Sequence, residues 1–316
     1  MGEAVHLGSL RESQLRRLTV GEWFLMGERQ YLNGILVLCV SYRNHGSTCV
    51  YVNDLLQADD PGGLRVVVVD NDPERATVPE LLGLQADPRV RVLKPERNLG
   101  YFGGAQWALS RSVEDGSFPQ WVIVSNTDLR MRQRDFWVRL GDRARECPPG
   151  VLAPAIRSSI SRHDHNPFMK SRPLRLRMLW YKWVFRTYPT LVAYELAALL
   201  LKTAAGVLAG SGIGRVRSVG ETSPIYAPYG AFIAFHRSYF EGGGSLDHGL
   251  FLYGEEIFVA ETARRLGLTV MYEPSLQIEH NPHETIGRKK NRETARHLGR
   301  ASAVGYDRYF RKQRTG

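Results

Sequence analysis

The chain has 316 residues, 43% of them hydrophobic and 23% charged, which suits a soluble globular protein with a large core and excludes a disordered or collagen-like chain. Its three cysteines, Cys39, Cys49 and Cys147, are odd in number and lack metal-ligand spacing, which argues against a disulfide framework or a zinc site and fits a reducing compartment. The net charge of +10 is uneven: eight Lys/Arg face one acid between Arg157 and Arg186, ten face two between Arg288 and Arg314, and the remainder carries 24 basic against 29 acidic residues, a net of −5.

Residues 1–33 read as a polar, helical extension with no uninterrupted apolar core, so a signal peptide is not expected. Four apolar runs follow: "GILVLCVSYRN", "LRVVVVDNDP", "RVRVLKPERNLG" and "WVIVSNTD". Runs without alternation predict strands covered on both faces, hence parallel and joined by helices. "GSTCVYVNDLLQAD" and "GGAQWALSRSVEDG" supply those crossovers. Residues 34–155 therefore form a doubly wound, mostly parallel α/β half. Residues 156–220 turn basic and aromatic around "PLRLRMLWYKWVFRTYP", the pattern of a helical insertion. The apolar stretch from Thr190 to Gly210 is broken by Glu195 and Lys202, closer to an interfacial helix than a spanning one. A compact Gly-rich pattern returns over 221–286 as the second half of the catalytic domain, and 287–316 form a basic tail.

Each strand run ends in polar residues: Ser41-Tyr42-Arg43, Asp70-Asn71-Asp72, Asn98-Leu99-Gly100 and Asn126-Thr127-Asp128. In a parallel sheet these ends converge on one crevice. The glycine fingerprint of dinucleotide enzymes is missing after the first strand, which argues against a dehydrogenase. A nucleotide would be held by side chains instead: an Asp accepting from a base imide, and a divalent cation bridging an Asp to a diphosphate. Taken alone, an acid after a strand more often caps the next helix.

The pieces "VSYRN", "VVVVDND", "RNLGYFGGAQWAL", "VSNTD", "YGAFIAFHRSYFEGGGSLDHGLFLYGEE" and "EPSLQIEH" occur in this order from about Ile35 to Thr285. Together they resemble family 2 glycosyltransferases of the GT-A fold, especially bacterial rhamnosyltransferase-like members. The resemblance implies that Asp70 binds the nucleobase in a pocket lined by Ser41 and Tyr42, and that Asn98 and Gly100 approach the nucleotide and sugar. Asn126-Thr127-Asp128 takes the place of the family's Asp-x-Asp motif, with Asp128 holding Mg²⁺ or Mn²⁺ and Asn126 standing where the first acid would be. His280 would be a further metal ligand or diphosphate contact, a role in which His283 is the weaker candidate. Tyr229 and Gly230 would lie beneath the donor and acceptor sugars. Glu256, the second acid of "GEE", takes the place of the family's Asp base, with Glu255 as the alternative, and adjacent helical residues do not share a face. Asp247 is expected to be structural.

The activity implied is inverting transfer of a hexose, rhamnose by resemblance, from a UDP- or dTDP-sugar to a glycan or lipid-linked saccharide. Arg172, Arg175, Lys182 and Arg186 share one helix face while Leu174, Met178, Trp180, Trp183 and Phe185 cover much of the rest. With the basic tail, this predicts a cytoplasmic protein peripheral to the inner face of a membrane and drawn to anionic lipid. The alternative is a helix packed on its own domain. The departures at Asn126 and Glu256 leave open a non-catalytic sugar-nucleotide sensor. A nucleic-acid binder is disfavoured, because the cations lie away from the motif-bearing part.

Overall fold

The computed structural model describes residues 34–60, 63–113, 118–146, 149–208, 221–281 and 292–311. The expected N-terminal extension, Cys147, His283 and the ends of the basic tail lie outside them. A nine-stranded sheet runs in the order β3-β2-β1-β4-β8-β6-β9-β5, with β7 beside β9. Its strands are β1 (Ile35–Ser41), β2 (Leu64–Asp70), β3 (Val90–Leu93), β4 (Trp121–Ser125), β5 (Leu129–Arg130), β6 (Val151–Ser158), β7 (Ser223–Ile225), β8 (Phe232–His236) and β9 (Val270–His280). The helices are α1 (His45–Gln57), α2 (Pro79–Gly83), α3 (Tyr101–Ser112), α4 (Phe136–Glu146), α5 (Arg175–Val184), α6 (Tyr188–Leu208), α7 (Arg237–Glu241), α8 (Glu255–Arg265) and α9 (Arg292–Gly305).

The first four strands pair in parallel, as their unbroken apolar runs require. Successive residues of β1 feed opposite cores. Ile35, Val37 and Cys39 pack with Tyr51, Leu55 and Trp137 under α1 and α4, while Leu36 and Leu38 pack with Phe102, Ala105 and Leu109 of α3. Truncating Leu38, which is fully buried, to Ala should cost about 2–5 kcal/mol.

The second half of the sheet is mixed, and this mixture builds the crevice. β8 runs antiparallel to β4 with Phe232 opposite Ser125, so it begins where β4 ends. The Asn126 amide donates to the Ala231 carbonyl at 2.8 Å, seaming Tyr229–Ala231 to Asn126–Asp128. β9 is parallel to β6 and antiparallel to the short β5, which sets Leu129 opposite His280. Residues 151 positions apart in sequence thereby meet at one sheet edge.

Strand β6 continues to Ser158, three residues into the 156–220 segment, and α5 and α6 occupy the basic segment. Met178 of α5 is buried with Ile257, Tyr306 and Phe310, so this segment is anchored to α8 and to the residues after α9. Arg175 and Arg186 of the expected cationic face are exposed, while two other cations of it are tied to the protein. Arg172 bonds Glu261 at 2.6 Å and Lys182 bonds Asp307 at 2.7 Å. Apolar side chains face outward as well: Leu174, Leu176, Trp180, Trp183, Leu196 and Leu200 are 48–77% exposed. Among the described residues no helix is long and apolar enough to cross a membrane.

Candidate functional site

The crevice is assembled from the strand ends. At its nucleotide side, Asp70 is 1% exposed and its carboxylate accepts from Thr77 Oγ1 at 2.7 Å and Lys94 Nζ at 2.9 Å. A base imide must compete with Lys94 for it. The Ser41 side chain is turned away from the expected pocket, since it is fully buried and shares a 2.8 Å hydrogen bond with Thr48 of α1. Tyr42 is 43% exposed at the mouth, and the Arg43 guanidinium lies 5.0 Å from its ring centre. Arg43 is bound in turn to Asp72, whose carboxyl it holds below its ordinary value.

The 98–100 loop is clamped by Asn71, which donates to the Gly100 carbonyl at 2.8 Å and accepts from the Leu99 amide at 2.9 Å. Asn98 Oδ1 accepts from the Gly100 amide at 2.9 Å. Gly100 has φ +74°, and a Cβ there would lie 2.0 Å from the Phe251 carbonyl oxygen. Only glycine allows this backbone to meet the loop that leads to α8. Tyr101 then donates its hydroxyl to the Gly230 carbonyl at 2.9 Å, tying α3 to the segment before β8.

In the centre, Asp128 is 6% exposed and its Oδ2 lies 3.3 Å from His280 Nε2. Asp128 Oδ1 and His280 Nδ1 are buried without a hydrogen-bond partner. Two ligands of one octahedral cation, each at about 2.1 Å, stand about 3 Å apart, so this pair fits adjacent positions on a shared metal. Among the described residues no cluster of three or more His, Cys, Asp or Glu is placed to hold a metal. A carboxylate and an imidazole leave positions open for phosphate oxygens and water, the usual arrangement at a nucleotide-bound divalent ion. Asn126 is seamed to β8 through its backbone.

At the far side, α8 opens with Glu255 and Glu256 after Gly254, which has φ +91°. The first turn of a helix favours negative charge. The two acids separate as their adjacent positions require. Glu255 is buried, accepts from the Tyr253 amide at 3.0 Å and lies 4.0 Å from His248 Nε2. Its carboxyl is pushed up to about 8 by burial and then by the charge of Glu256. Glu256 is partly exposed and presses on Gly230, where a Cβ would come within 2.9 Å of its Oε1. Burial raises Glu256 too, opposed by hydrogen bonds from its own amide and that of Gly230. Tyr229 neighbours both this acid and the Asp128–His280 pair: its ring centre lies 5.9 Å from that of His280, and its hydroxyl is pushed up to about 12 by burial first and then by Glu256 and Asp128. Asp247 accepts from the Gly249 amide at 3.0 Å in the loop before α8, a turn-forming bond.

Several residues here carried no signal strong enough to single them out. Asn166 accepts from the Tyr229 amide at 2.7 Å and donates to the Pro154 carbonyl at 2.8 Å. His165 stacks on Tyr229 with centroids 4.8 Å apart and packs edge-on against His280. Both lie in the segment read as an insertion, where the polar run Asp164-His165-Asn166 was the available clue. A larger surface depression, about 590 Å³, lies between α1 and α2 around Asn53 and Glu80, away from the strand ends.

The sequence model of "Glycosyl transferase family 2" matches residues 47–201. No curated protein matches this chain. Among solved structures it is similar to GalNAc-T7 with UDP, GalNAc and Mn²⁺, at 14% identity and a TM-score of 0.54, covering 87% of this chain and 49% of that one. It is also similar to S. aureus TarS 1–349 in complex with UDP-GlcNAc, at 13% identity and a TM-score of 0.50, covering 80% of this chain and 60% of that one. The chain thus matches only about half to three-fifths of the length of these proteins.

Proposed function

The chain belongs to glycosyl transferase family 2 and has its GT-A fold, and from that premise we propose that it transfers a hexose from a nucleoside-diphosphate sugar to a saccharide or lipid-linked acceptor with inversion. The observation that carries this reading is the arrangement around Tyr229. Its hydroxyl feels both Glu256 and Asp128, and Asp128 is paired with His280, so the acid and the pair share one crevice at the strand ends. A uridine or thymidine diphosphate sugar, rhamnose among the candidates, would lie with its diphosphate at Asp128 and His280. A divalent cation there supplies charge neutralisation of the leaving diphosphate. The imidazole in the pair favours Mn²⁺ over the harder Mg²⁺.

Glu256 is the base in this reading. It removes the acceptor hydroxyl proton as that oxygen attacks the anomeric carbon opposite the diphosphate. Its longer side chain, relative to the Asp of relatives, is accommodated against Gly230, where the missing Cβ leaves room for the carboxylate. Asn71 and Gly100 hold the α3 entry against the donor, and Tyr101 fixes Gly230 beneath the sugars. The exposed apolar surface of α5 and α6 is the part of the molecule that would sit in a membrane interface.

The test is release of nucleoside diphosphate from a panel of UDP- and dTDP-sugars with Mn²⁺ and a saccharide acceptor, alongside thermal shift with each donor. Turnover of one donor with an inverted anomeric product is expected. Stabilisation by a sugar nucleotide with no turnover on any acceptor would instead favour a sensor.

A further inference from the structure

Beside the crevice lies a second cavity of about 290 Å³, lined by Arg132, Arg157 and Arg162 with Ser158, Ser159 and Glu279. At about 30 Å³ per water it has room for about ten waters, more than a single small ion needs. Arg157 projects from β6 opposite Glu279 of β9, and Arg132 follows β5 at the sheet edge. The charges do not cancel. Arg132 reaches Glu279 only at 3.8 Å, with both side chains largely exposed, which is a weak pair. The side chains of Arg157 and Arg162 make no hydrogen bond or ion pair among the described residues.

The loop that carries Arg162 is held in place. Its amide donates to the Ser158 carbonyl at 3.0 Å, the Ser158 amide donates to His163 at 2.9 Å, and Ser158 Oγ accepts from the Ile160 and Ser161 amides. Arg162 itself has φ +55°, a left-handed conformation unfavourable for any residue but glycine and maintained here by those bonds. Three guanidinium groups from two chain segments, one at Arg132 and one spanning 157–162, thus border one cavity with one acid among them. Guanidinium forks match the oxygens of phosphate groups bidentately.

We propose that this cavity is a binding site for a phosphate-class anion, a phosphomonoester or diphosphate distinct from the diphosphate of a sugar nucleotide. Its wall is continuous with the candidate catalytic pair. The Ser159 amide donates to the His280 carbonyl at 2.9 Å, and the Asn281 amide donates to the Asp128 carbonyl at 2.9 Å. The phosphate comes either from a soluble sugar phosphate or from a lipid headgroup.

The proposal is tested by calorimetry with inorganic pyrophosphate in the absence of divalent metal, so no turnover is needed and the outcome is separate from that of the transferase reading. The parent and Asp128→Ala should bind saturably and alike. Arg157→Gln/Arg162→Gln should weaken binding by at least about tenfold, the effect of removing one or more charge-assisted hydrogen bonds. Arg132→Gln, at an exposed position, serves as the second variant should the double change disturb folding. Competition by phosphatidic acid vesicles beyond that of phosphatidylglycerol vesicles of equal charge identifies the lipid source, and competition by a soluble sugar 1-phosphate alone identifies the other. Absence of saturable binding, its retention in both arginine variants, or its loss in Asp128→Ala would overturn the proposal.

Discussion

Replacing Gly100 by Ala tests how the loop before α8 is set. The new Cβ would stand 2.0 Å from the Phe251 carbonyl oxygen, where real contacts do not fall below 3.0 Å, so that backbone must retreat by about 1 Å. A backbone at φ +74°, ψ −169° is essentially confined to glycine and adds about 1–3 kcal/mol for a residue with a Cβ. Phe251 lies four residues before Glu255, and its carbonyl accepts from the Tyr101 amide at 3.3 Å, so the displacement passes directly to the start of α8. A misplacement of about 1 Å in a reacting group costs on the order of 10²-fold in rate. Accordingly, Gly100→Ala should lower kcat about 10²-fold and reduce the melting temperature. Gly103→Ala is the control in the same helix, because its Cβ would meet only Leu99 Cβ at an ordinary 3.6 Å. Rates of nucleoside-diphosphate release at saturating donor and acceptor are compared for the three proteins. If Gly100→Ala keeps kcat within about twofold of the parent, contact with Phe251 does not position the base.

Glu256→Gln should reduce turnover at least ~10²-fold with donor affinity nearly unchanged, and Glu256→Asp should keep measurable activity; a parental rate in the Gln variant moves the base elsewhere. Asp128→Ala should abolish Mn²⁺-linked affinity for the nucleoside diphosphate, measured by calorimetry, and equal Mn²⁺ dependence in mutant and parent removes Asp128 from the site. Glu255, raised from 4.5 to about 8 in the fold, holds a proton that the unfolded chain has lost, so its burial costs stability as pH rises across that window. Glu255→Gln should therefore melt like the parent near pH 4.5 and increasingly above it up to pH 8; parallel melting curves across this range contradict the assignment. Trp180→Ala/Trp183→Ala should weaken vesicle flotation more than Arg172→Gln/Lys182→Gln, because the tryptophans face outward while those cations are paired with Glu261 and Asp307; the reverse order restores charge as the main attraction.

The parallel half of the fold was legible because the runs of β1, β2 and β4 bury both faces, and a run without alternation has few other solutions. The mixed half was less so. β8, "FIAFH", is as apolar as a parallel strand, and its direction is decided by where the preceding chain enters the sheet, which no local pattern encodes. The Asp128–His280 meeting depends on a two-residue strand, β5, too short to give periodicity. Asn71 and Asn166 act through hydrogen bonds to backbone far away in sequence, so their amides read as loop residues until the tertiary fold is known. Of the four cations read as one helical face, only Arg175 and Lys182 lie on α5, with Arg172 before it and Arg186 after it. Spacing alone did not reveal that Glu261 and Asp307 wait beneath two of them.

The adjacent acids of "GEE" gain a physical rationale from their surroundings. Two neighbouring carboxylates removed from water do not both ionise at neutral pH without a large electrostatic cost. Here the environments differ in a way that assigns the proton. Glu255 lies deeper, beside His248, an imidazole pushed down to about 4 by burial and therefore neutral, so no cation compensates a charge on Glu255. Each acid accepts one neighbouring amide, Tyr253 for Glu255 and Gly230 for Glu256, and both share the N-terminal dipole of α8, so what separates them is that Glu256 keeps contact with the crevice and its water. The proton therefore rests on Glu255, and the negative charge is left on the acid that reaches the crevice. The buried neighbour acts as a positioning group for the ionisation state of the proposed base. Because Gln mimics the protonated acid, Glu255→Gln should leave both the rate and the acidic limb of the pH–rate profile near parental, and an acidic limb moved by about a unit or more would place the proton elsewhere.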